Sequence, residues 1–100
     1  MQTKIKSIQR TFGEIGHILN EYERTDFKVS NEIKERADKI RPVLLSLAVR
    51  SKEYSAVSTM FLYALKTAED IADGQAKKSA FKETCDNINV YLRGRDGVWL

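Results

Sequence analysis

The chain has 100 residues, 42% hydrophobic and 31% charged, with nine aromatics, five Gly, one Pro, one Cys and one His. That is the composition of a folded chain rather than a disordered one, and its length suits a single domain over residues 1–100. One Cys excludes an internal disulfide, and one Cys with one His excludes a structural zinc site, which takes about four such ligands.

The opening Met1-Gln2-Thr3-Lys4-Ile5-Lys6 is basic but is not followed by the apolar core of a signal peptide. The longest apolar runs, 43–49 and 60–65, fall far short of the ~20 residues that cross a bilayer. A soluble, cytoplasmic protein is the expectation. The net charge of +3 is mildly basic and does not announce a nucleic-acid binder.

Ile5, Ile8, Phe12, Ile15, Leu19 and Tyr22 recur at spacings of 3, 4, 3, 4 and 3, which predicts a helix over about 3–23. Ile18 widens its apolar stripe. Gly13 and Gly16 sit inside the pattern, each at ~1 kcal/mol relative to Ala, so they either admit a neighbouring helix or loosen this one.

Residues 23–30 break the stripe and supply caps. Ser30 or Asn31 can accept from the first free amides of a second helix, predicted over 31–50 with Ile33, Ala37, Ile40, Leu44 and Leu47 on its apolar face. Pro42 lies inside it and removes one hydrogen bond, so a kink is expected near 38–42. The stripe keeps its phase across Pro42, which favours one bent helix over two short ones.

Ser51 is a plausible cap at the next break. Tyr54, Val57, Phe61, Ala64, Ala68 and Ile71, with Leu65 and Ala72 beside them, predict a third helix over 53–73, stopped by Gly74. Phe81, Cys85, Ile88 and Leu92 predict a fourth over 75–93. Gly94-Arg95-Asp96-Gly97 reads as a turn before a short apolar tail, Val98-Trp99-Leu100. Four amphipathic helices must bury their stripes on one another, and short connections favour antiparallel neighbours. The expected fold is all-α, an up-down-up-down antiparallel four-helix bundle kinked near Pro42.

Catalytic parts are missing from the pattern. Glu14-Ile15-Gly16-His17 matches one half of a bundle di-metal motif, but no second His exists to complete it. His17 also projects about 200° from Ile15, away from the core. Cys85 lies on an apolar stripe, where a thiol is an inert small hydrophobe with a raised pKa. Glu69, Asp70 and Asp73 form an acidic helix end, and no glycine-rich phosphate loop is present. No metal, cofactor or small-molecule substrate is implied, and an enzyme is not expected.

Two binding readings remain. Leu45 and Val49 lie about 140° and 180° from Ile40, and Leu62 and Tyr63 lie about 140° and 120° to either side of Val57. These four exceed what a bundle can bury, and the short connection between helices 2 and 3 gathers them at one end. Such a surplus points to docking on another protein, as an adaptor, assembly factor or inhibitor, or on a second copy as a homodimer. Tyr54, Tyr63 and Trp99 would then be its anchors. Alternatively, helices 2 and 3 take the more buried positions, with Trp99 and Leu100 folded over them. The competing reading is a nucleic-acid-binding bundle using the basic residues of helices 2 and 4, with Lys77, Lys78, Lys82, Arg93 and Arg95 on the phosphates. Glu83 and Asp86 interrupt that side, as expected of charge placed for solubility.

Overall fold

The computed structural model describes residues 2–93, with side chains from Ile8 onward. It contains four helices packed against one another: α1 (Gln2–Arg24), α2 (Asn31–Arg50), α3 (Ser55–Ala72) and α4 (Lys78–Arg93). No strand occurs among the described residues. The stripes read from sequence form the core. Ile8, Phe12, Ile15, Leu19 and Tyr22 of α1 are buried, as are Ile33, Ala37, Ile40 and Leu44 of α2. α2 is a single helix through Pro42.

The helix ends follow from local chemistry. Ser30 caps α2, its hydroxyl accepting from the Ile33 amide at 3.4 Å. Ser51 closes α2 by donating its own amide to Leu47, while its Oγ accepts from the Tyr54 amide at 3.1 Å. That turn uses residues 53 and 54, so α3 starts two residues later than the spacing predicts. α3 ends at Gly74, whose φ of 77° allows the Gln75 amide to reach back to Asp70 and its own amide to reach Ile71. Residues 75–77 complete this reversal, which delays α4 by three residues.

α1 ends in the same motif without a glycine. Asp26 takes the left-handed position at φ 55°, its amide bonding Glu23, while the Phe27 amide bonds Tyr22. The apolar contact that accompanies this motif is Phe27 against Tyr22, with ring centroids 6.4 Å apart. Phe27 itself has φ 66° and is buried, edge-on to Phe81 at 5.1 Å. The predicted loop is therefore part of the core: Phe27 and Val29 seal the end of the molecule where α4 begins. The Asp26 carboxylate pairs there with Lys78.

α3 is the central element. Val57, Ala64, Leu65 and Ala68 are fully buried, and α3 packs on each of the other three helices. α1 also meets α2, but among the described residues α1 and α4 make no backbone contact, nor do α2 and α4. Phe12 of α1 stacks on Phe61 of α3 at 5.4 Å. The fourth helix thus leans on one neighbour instead of closing the ring onto α1.

A Cβ at Gly13 would meet nothing within 4 Å, so this glycine admits no neighbour and only loosens α1. Gly13→Ala is expected to raise stability by ~1 kcal/mol, read as a higher melting temperature; an unchanged or lower one contradicts the open surroundings described. Phe27→Ala is expected to cost roughly 3 kcal/mol in urea unfolding, because it removes both ring contacts while the backbone strain stays. A loss near zero would show that the loop does not seal the core.

Candidate functional site

The last two turns of α2 carry no charged residue between Arg41 and Arg50. Pro42, Val43, Leu45, Ser46 and Val49 are all exposed there, Leu45 by 55% and Val49 by 76%. Ile40 and Leu44 occupy the core side of the same turns, so this part of the helix is uncharged all the way round. A helix apolar on every side normally has a partner on every side.

Two cross-helix ion pairs fix how α2 is rotated. Arg36 donates to Glu14 of α1, its Nε at 3.1 Å from Oε2, and Arg41 pairs with Glu69 of α3. Arg41 also reaches Asp38 at 3.0 Å. Burial opposes the charge on Arg41, but Glu69 and Asp38 outweigh it and hold the guanidinium above its ordinary range. Such half-exposed pairs stabilise by at most ~1 kcal/mol each, so their main effect is orientation. They turn Leu45 and Val49 outward.

The other predicted anchors are distributed differently. Leu62 is half-buried against the core, one heptad before Glu69 and hence on the α2 side of α3. Tyr54 is half-buried, its ring 5.9 Å from that of Phe12. Tyr63 is 62% exposed, but it faces α4, sharing a hollow of about 300 Å³ with Thr59, Met60, Thr84 and Asn87. The structure therefore keeps Leu45 and Val49 on one face, with Leu62 toward it, and sets Tyr63 on another. Trp99 lies outside the described residues.

Of the predicted phosphate contacts, Lys77, Lys82 and Arg93 are exposed, and Lys78 is paired with Asp26. Lys77 precedes α4 and the other three are spread along it, a length of ~24 Å, and Lys82 has Glu23 and Asp86 for company. Arg95 lies outside the described residues. His17 is exposed, while Glu14 turns to Arg36. Among the described residues no three His, Cys, Asp or Glu side chains are placed to hold a metal ion. No helix among them is long and apolar enough to cross a membrane.

The sequence reading missed a groove of about 600 Å³ between α1 and α4. Gly16, Leu19, Asn20 and Glu23 form one wall, Phe61 of α3 is on the floor, and Phe81, Cys85, Asp86 and Ile88 are on the α4 side. Cys85, expected in the core, is half-buried at this edge. Burial, then the carboxylates of Glu23 and Asp86, push its thiol up to about 11. The signal for the groove was Gly16, a mid-helix glycine with no neighbour within 4 Å of a Cβ placed on it.

Since the thiolate is the reactive form, Cys85 in the folded chain should alkylate at pH 8 about a hundredfold more slowly than in the urea-unfolded chain. Equal rates in the two states would contradict the burial assigned to this thiol. Comparison with known proteins yields no matching protein family, no similar curated protein and no similar solved structure.

Proposed function

We propose that this chain is a non-enzymatic helical-bundle protein of the cytoplasm that works by docking on another protein, as an adaptor, assembly factor or inhibitor, or on a second copy of itself. Its helices run up and down in alternation, with α2 bent at Pro42. The observation that carries the docking reading is the uncharged outer face of α2, where Leu45 and Val49 are the most prominent apolar groups. Leaving side chains of that size in water forgoes ~1.5–3 kcal/mol each relative to burying them. The short Ser51–Tyr54 connection supports the antiparallel course of α2 and α3, as does the Ser55 hydroxyl donating to the Ala48 carbonyl at 2.6 Å. The bend follows from the missing amide of Pro42.

The experiment is size exclusion with light scattering, together with a pull-down from native lysate, on wild type and on Leu45→Glu/Val49→Glu. Both positions are exposed, so the variant should melt within ~0.5 kcal/mol of wild type while losing the higher-mass species or the captured partner. Unchanged mass and an unchanged set of partners would remove the docking face. If nucleic acid binds instead, its affinity should collapse between roughly 50 and 200 mM salt and ignore both substitutions.

A further inference from the structure

Where α1 and α3 end and α2 begins, the chain surrounds a hollow of about 700 Å³ whose apolar lining is Tyr22, Phe27 and Val29. Tyr22 is 2% exposed, yet its hydroxyl makes no hydrogen bond among the described residues. The enclosed polar atom without a partner among them is Ser58 Oγ, so the Tyr22 hydroxyl is not sealed in and opens on the hollow that its residue lines. Burial, then the carboxylate of Glu69, raise the phenol above its ordinary range; Arg41 opposes them, and Asp38 and Asp73 add to the rise. The hydroxyl is thus a neutral group set among charges, able to donate and to accept and doing neither.

Most of the charges around it already have partners. Asp38 and Glu69 both pair with Arg41, and Asp70 pairs with Lys66. Lys28, Lys34 and Asp73 also line the hollow and enter no ion pair among the described residues. Backbone dipoles reinforce the signs of these three. Asp73 caps the carboxyl end of α3, whose last turn has no basic residue to meet its partial negative charge. Lys34 closes the first turn of α2, its amide bonded to the Ser30 carbonyl at 3.1 Å, where the partial charge is positive, and Lys28 lies in the loop just before. We propose that this hollow binds a small zwitterion, an amino acid with an apolar side chain. Its ammonium meets Asp73, its carboxylate meets Lys28 and Lys34, the Tyr22 hydroxyl bonds to it, and its side chain lies on Phe27 and Val29. A diamine would leave both lysines facing a like charge, and a plain anion would face the carboxylates. No three acidic groups among the described residues are placed to hold a metal ion instead. The hollow falls within the roughly 300–1,000 Å³ of small-molecule sites.

Titration of the full chain with L-leucine or L-phenylalanine, followed by NMR of the backbone amides, tests this. Saturable shifts are expected at millimolar concentration, confined to amides around Lys28, Lys34 and Asp73. N-acetyl-L-phenylalanine lacks the ammonium and the methyl ester of phenylalanine lacks the carboxylate, so each should bind at least about tenfold more weakly. Tyr22→Phe removes a hydroxyl with no partner inside the chain; its melting temperature should equal or exceed that of wild type, while amino-acid affinity falls several-fold. Asp73→Asn and Lys34→Gln, both at exposed positions, should also weaken binding several-fold. Leu45→Glu/Val49→Glu, toward the other end of α2, should leave it unchanged, which separates this site from the docking face. The absence of a saturable shift with either amino acid would overturn the proposal. So would derivatives that bind as tightly as their parent, or a Tyr22→Phe chain that melts below wild type and binds equally well.

Discussion

α3 buries about half of its circumference, and the removal of that wide apolar face from water is what the other three helices share. Val57, Ala64, Leu65 and Ala68 are wholly enclosed, while Phe61 extends between α1 and the groove. Small residues dominate the face, so three helices can approach it closely. Spread around one central rod, α1 and α4 make no backbone contact among the described residues, and the loop after α1 meets α4. There Phe27 packs on Phe81 and Asp26 pairs with Lys78. The groove and the free side of α2 are both consequences of this centring.

The helices were legible in the sequence because a stripe repeating at 3 and 4 residues has one low-energy reading in water. Ile8 through Tyr22, and Ile33 through Leu44, occupy the core as that spacing requires. Gly74 was legible as a helix stop because glycine is the ordinary occupant of a left-handed position. Asp26 performs the same task at the end of α1 and was not legible, since an aspartate in a polar loop is commonplace and marks no particular backbone conformation. Phe27 was hidden for a related reason: a lone aromatic outside any period carries no phase, so nothing local says which way it turns.

Pairing of helices is a different kind of information. Stripe width tells how much of a helix is covered, and α3 was wide in the sequence, but width does not say which neighbour covers which sector. Tyr63 illustrates the difference. Its distance from the stripe marked it correctly as surplus, yet only the packing shows that it faces α4 while Leu45 and Val49 stand on α2. Gly16 likewise could be read as admitting a neighbouring helix or as loosening its own, and the packing alone shows that it borders open space. The charged residues were legible as a population, though their pairing across helices, Arg36 to Glu14 and Arg41 to Glu69, was not.

Native-state hydrogen exchange resolved by residue measures the centring of the bundle on α3 most directly. Opening α3 breaks three helix interfaces, whereas opening α4 breaks one, so the two should exchange through different events. The account predicts that α3 amides are the slowest and exchange only by global unfolding. Those of α4 should exchange through a smaller opening that leaves α1, α2 and α3 protected. Amides of α4 as slow as those of α3, or α3 amides exchanging before those of α1 and α2, would contradict it.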